Sequence, residues 1–133
     1  DEADDIGFTD MGGTLMVQTN SDLQGPFLGT LLIGDAPISG NFFFRKERGA
    51  APSLSEQLAA LAGRLVQPAS DAAGDNRYIH GAGPFALGHD QSAELWIAIV
   101  AGESRERLRA SAVAAAVDIA ARRGQAVAHE LRR

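Results

Sequence analysis

Ala93-Glu94-Leu95-Trp96-Ile97-Ala98-Ile99-Val100-Ala101, then Gly102-Glu103-Ser104, then Leu108, Ala112, Ala115 and Ile119 form the stretch that decides the fold class. In the first part Leu95, Ile97 and Ile99 alternate with Glu94, Trp96 and Ala98, which is the period of a strand. By Ile99-Val100-Ala101 both faces are apolar, which predicts a central strand covered on both sides. Beyond Gly102 the apolar spacing lengthens to three and four, with Val113 and Val117 beside the main stripe. The chain there reads as a long helix over about 103–123. Gly124 is placed as its C′ residue, and Arg122-Arg123 suit the negative end of its dipole.

Upstream, three short apolar runs are separated by turn chemistry. Thr14 to Thr19 follows Gly12-Gly13, and Phe27 to Ile33 lies between Pro26 and Gly34-Asp35. Ile38 to Arg45 follows Pro37. Runs of this length, joined by turns and not by helices, predict antiparallel sheet. The period then switches again. Leu54, Leu58, Leu61 and Leu65 recur on one helical face, and Ser53 with Glu56 has the spacing of a capping box, so a helix is expected over about 53–66, ended by Pro68. After a loop at 68–76, Tyr78-Ile79 starts a further strand that Gly81-Ala82-Gly83-Pro84 is expected to interrupt. The fold class expected is α+β, mainly β with helices. Its core is an antiparallel β-sandwich-like sheet with one mid-chain helix and a long C-terminal helix. A single domain over 1–133 is expected, divided into an acidic segment 1–11, a sheet core 12–102, the helix 103–123 and a tail 124–133.

The 133 residues carry 12 Lys+Arg against 17 Asp+Glu, a formal net charge of −5, and no cysteine. The absence of cysteine excludes a disulfide scaffold, a thiol nucleophile and any Cys-ligated metal. No run of eighteen apolar residues is present, so no membrane-spanning helix is expected. Charge is uneven. Residues 1–44 hold Asp1, Glu2, Asp4, Asp5, Asp10, Asp22 and Asp35 without a single Lys or Arg, whereas residues 103–133 hold seven Arg against four acidic groups. An acidic front and a basic tail can attract each other within one fold or between copies, the latter giving a homo-oligomer. The Arg-rich segment otherwise reads as a solvated helix face. Nucleic acid is a poor partner, because the rest of the chain is acidic and no aromatic follows Trp96.

Chemistry-bearing patterns are sparse. His80, His89 and His129 are isolated, and no nucleophile elbow, P-loop or dinucleotide fingerprint occurs. No catalytic residue is assigned, and no cofactor is expected. Asp1, Asp4, Asp5 and Asp10 are weak calcium candidates, since hard cations take several carboxylate oxygens. Their spacing matches no EF-hand loop, and the plain reading is a solvated terminus. Phe42-Phe43-Phe44 cannot all face one core, because successive strand residues point to opposite sides. One side must find a second layer or a partner, so Phe42, Phe43, Phe44 and Trp96 are the contact residues expected if a partner exists. Cover of that second face by the protein's own helices is the competing expectation.

From about residue 53 onward the order of features resembles a known module. An amphipathic segment, Ser53 to Val66, leads through a polar loop to Gly83-Pro84-Phe85-Ala86-Leu87. A polar turn, an apolar strand ending Val100-Ala101-Gly102-Glu103, and an Ala-rich helix follow. This is similar to the C-terminal accessory module of large secreted bacterial proteins, particularly subtilisin-like serine peptidases. The resemblance implies a β-sandwich-like, non-catalytic module exported from the cytoplasm and attached to a larger chain of the same precursor or complex. No peptidase triad is carried over, because the nucleophile motif is absent. Asp1 as first residue is expected of a processed fragment. The function expected is therefore assembly through sheet-edge and helix surfaces, with calcium-dependent binding, or a small enzyme using the acidic N-terminus and a histidine, as the alternative.

Overall fold

Leu15, Met16 and Val17 are consecutive, and none of them is exposed at all. Neighbouring side chains of a strand point to opposite faces, so this strand is covered on both sides. The computed structural model describes residues 5–20, 22–45, 52–70 and 73–130. The chain order is β1 (Asp5–Asp10), a 3-10 turn (Met11–Gly13), β2 (Leu15–Asn20), β3 (Phe27–Gly34), β4 (Ile38–Arg45) and α1 (Leu54–Leu61). Then come β5 (Asn76–Ala82), β6 (Leu95–Gly102) and α2 (Arg105–Glu130). One sheet has the order β1-β2-β3-β6 and the other is the pair β4-β5, with all paired strands antiparallel. The protein is thus the expected α+β fold with two antiparallel layers, a short mid-chain helix and a long C-terminal one.

α2 covers one face of the larger sheet. Leu15, Val17, Phe27, Leu31 and Val100 from the strands meet Leu108 and Ala112 of the helix in one buried cluster. Burial of each large aliphatic side chain here contributes roughly 1.5–3 kcal/mol. The other face is covered by β4-β5. Phe43 is fully buried there, 5.5 Å from the Tyr78 ring by centroid, and its ring occupies the space that a Cβ at Gly7 would need. Glycine at position 7 is what lets the two sheets approach. The Thr30 and Tyr78 hydroxyls hydrogen-bond across the same gap.

A short segment joins the layers along one side. The amide of Phe43 donates to the Gln67 carbonyl (3.1 Å) and that of Gln67 to Asn41 (2.9 Å). Thr9 donates to Pro68 (2.8 Å) and Ser70 to Gly7 (2.7 Å). Gln67–Ser70 therefore lies between β4 and β1, satisfying the outer backbone groups of both.

Four boundaries differ from those read in the sequence. Asp5–Asp10 is a strand in register with β2, not part of an acidic tail. α1 ends at Leu61 instead of running to Val66. Gly63 takes a left-handed φ of 69°, its amide donating to Ala60 and that of Arg64 to Ala59, which closes the helix in a Schellman motif. α2 runs through Gly124 to Glu130, since one glycine costs a helix only about 1 kcal/mol against its flanking strong formers. β5 continues through Gly81 to Ala82, because Gly81 pairs with Gly40 beneath α1. The largest correction concerns β6. Among the described residues it is an edge strand, bonded to β3 alone, and β2 holds the doubly covered position expected of it.

Candidate interaction surfaces

α1 begins where its capping box predicts. The Ser53 amide donates to the Glu56 carboxylate (2.8 Å) and the Glu56 amide to the Ser53 hydroxyl (3.4 Å). The Ser53 hydroxyl donates to the same carboxylate (2.6 Å), and that bond, with the one from the Ser53 amide, holds the Glu56 carboxyl below its usual range. The helix rests on β4-β5 through its smallest residue. Ala60 is buried, and a Cβ at Gly40 would overlap the Ala60 carbonyl, so the helix backbone lies almost on the sheet. The leucines that define its apolar stripe consequently face outward. Leu54 is 71% exposed, Leu58 53% and Leu61 44%, with Val66 beyond them at 57%. An i, i+4, i+7 leucine row in solvent is unusual, because such a row normally forms the buried side of a helix.

The phenylalanine run divides as strand geometry requires. Phe43 points between the sheets and is core, so it is not a surface contact residue. Phe42 and Phe44 share the opposite face with Gly40, the side that carries α1, where they stack at 6.1 Å and are half-buried. Trp96 lies half-buried on the α2 side of β6, and its indole N–H donates to Glu94 (3.2 Å). The exposed residues of β6 are its other set. Leu95, Ile97 and Ile99 point away from α2 beyond the cover of β4-β5, and Ile99 is 76% exposed. Sequence reasoning found both aliphatic rows but missed that they face solvent, because periodicity identifies an apolar face without saying what covers it.

Asp10 is brought to the opposite end of the chain. Arg109 grips its carboxylate through two bonds (2.9 and 2.8 Å), Arg105 adds a third (2.9 Å), and the Met11 amide a fourth (2.7 Å). The Arg109 guanidinium above all holds the Asp10 carboxyl at about 2, against an ordinary 3.8. Arg105 also stacks over the Phe8 ring at 4.8 Å. Two guanidinium groups on one carboxylate leave little for a cation, so the calcium reading gains nothing from Asp10. Asp5 contributes backbone pairing to β2, while Asp1 and Asp4 lie outside the described residues. Asp35 binds Arg123 and the Glu94 amide in the same manner. The acidic front and the basic tail therefore meet within the fold.

His80 and His89 are not brought together. His80 reaches the Gly13 carbonyl through Nε2 (3.1 Å), beside the Asn41 amide that binds the same oxygen (3.2 Å), and burial pushes its imidazole below 6.5. His89 pairs with Asp90 at the surface. Among the described residues no cluster of three His, Asp or Glu could hold a metal ion. An open cleft of about 400 Å³ between Asp35-Ala36 and the 84–93 loop contains the engaged Asp35 as its one charged lining residue. No helix of the described residues is long and apolar enough to cross a membrane. Compared with protein-family models, with curated proteins and with solved structures, the chain matches none.

Proposed function

We propose that this chain is a non-catalytic interaction module of a larger exported bacterial protein or complex, docking through α1. The observation that carries this reading is the outward row Leu54, Leu58 and Leu61 on a helix whose position is fixed by a capping box and by Ala60. A helix presenting leucines at i, i+4 and i+7 fits an apolar groove on a partner, each side chain filling a pocket that only a helix of this register reaches. The stacked Phe42 and Phe44 lie on the same side of β4 and extend the apolar area toward the sheet. The resemblance of the chain from about residue 53 onward to peptidase accessory modules supports one class of partner: the larger chain of the same precursor, outside the cytoplasm.

Native mass spectrometry of the protein from its natural source tests this. A larger chain bound to the wild type and lost from Leu58→Glu, with an unchanged melting temperature, supports the reading. An unaccompanied wild-type chain, or a complex that Leu58→Glu leaves intact, refutes it.

A further inference from the structure

The edge of β6 carries none of the devices by which sheets discourage further pairing. Its eight residues, Leu95–Gly102, run in continuous register with β3 from Phe27 to Gly34, without a bulge, a proline or a charged side chain. Its second edge is unpaired among the described residues. A long, regular, aliphatic edge of this kind is a template for another strand.

The flank of α2 beside that edge narrows the choice of strand. Arg105 and Arg109 reach Asp10 and Phe8 on β1, so they mark the flank of the helix that points across the sheet. At 100° per residue the opposite flank, above the free edge, carries Arg107, Ser111, Ala114 and Asp118. Ser111 and Ala114 are small. Arg107 is exposed and has no ion-pair partner among the described residues, whereas Asp118 is paired to Arg122 within the helix and is 60% exposed. Antiparallel copies of this flank set Arg107 of each helix toward Asp118 of the other.

We infer that β6 pairs with β6 of a second copy of this chain, forming a continuous eight-stranded sheet about a two-fold axis, with the two α2 helices side by side. Identical strands paired antiparallel are related by such an axis, and residues directly opposite share a face. With Ile99 opposite its own copy, the register that also brings Arg107 near Asp118, the two Ile99 side chains meet and Ile97 of each chain lies diagonally beside them, so the four most exposed isoleucines form one cluster. The spacing also suits the helices. α2 lies over both β3 and β6, so two copies are separated by about two strand spacings, roughly 10 Å, which is the distance of packed helices. This surface is independent of the leucine row on α1.

Sedimentation equilibrium of the full chain over a micromolar range tests the pairing. The wild type is expected at twice the chain mass. Ile97→Lys with Ile99→Lys is expected to be a monomer with an unchanged melting temperature, both positions being open to solvent in one chain. Arg107→Asp is expected to weaken the dimer about tenfold, and Arg107→Asp with Asp118→Arg to restore it. A wild type that stays monomeric, or a dimer that the double lysine variant leaves intact, overturns the inference. Failure of the charge swap to restore what Arg107→Asp removes overturns the helix contact.

Discussion

Asp10 and Arg109 lie 99 residues apart in sequence and form a two-bond ion pair that ties the end of β1 to the first turns of α2. The Asp10 side chain is 5% exposed, so this is a fastening inside the fold. Its consequence is a pH dependence with a definite sign. The folded-state carboxyl sits at about 2, below the ordinary 3.8, so its contribution is complete above about 4 and is lost as pH falls toward 2. With the arginines half in solvent, that contribution is about 1–2 kcal/mol. Thermal melts of the wild type should fall steeply across that window. Asp10→Asn should start lower at neutral pH and show a shallower fall, and parallel curves would contradict the assignment.

The second prediction separates the phenylalanines. Phe43→Ser empties a fully buried site facing Gly7 and Tyr78, and urea titration should show a loss of about 3–5 kcal/mol. Phe42→Ser, on the half-covered face, should cost roughly 1 kcal/mol. Equal losses would mean that the two residues do not lie on opposite sides of β4.

His80 gives a third, at milder pH. Its imidazole is held below 6.5 by burial, so the protein folds with it neutral, and stability should decline as pH drops from about 6.5 toward the lowered value. His80→Gln removes the titration while keeping a donor for the Gly13 carbonyl. A melting curve from pH 8 to 5 should therefore flatten in that variant, and an unchanged slope would assign the effect elsewhere.

A fourth compares two glycines that end and do not end helices. Gly63 is left-handed and pressed against the Ser39 carbonyl, so Gly63→Ala should cost more than 1 kcal/mol. Gly124 has no neighbouring atoms in the space a Cβ would enter, and Gly124→Ala should stabilise by roughly 0.5–1 kcal/mol. Destabilisation by Gly124→Ala would instead mean that α2 stops there.

Much of the architecture was legible because local rules and tertiary outcome agree. The capping box at Ser53 and Glu56, the antiparallel runs at 14–19, 27–33 and 38–45, and the long helix after Gly102 all follow from spacing. What was not legible depended on partners distant in sequence. β1 is short and flanked by aspartates, and its identity as a strand comes from β2 and from Gln67–Ser70. The apolar composition of β6 matched a central strand, yet its place was settled by α2, which covers only one face. The leucine row of α1 had the same ambiguity, resolved outward because Gly40 and Ala60 make the contact. Asp10 read as a solvated acid until Arg105 and Arg109 were brought beside it.

The segment Gln67–Ser70 has a mechanical meaning. It follows α1 after the turn at 62–66 and is held edgewise by backbone bonds to Asn41 and Phe43 on one side and to Gly7 and Thr9 on the other. A pull on the leucine row of α1 therefore reaches both layers, β4 through Asn41 and Phe43 and β1 through Gly7 and Thr9. The β6 edge, two strands beyond β2, stands outside that load path, so a chain gripped at its helix keeps its outer strand undisturbed.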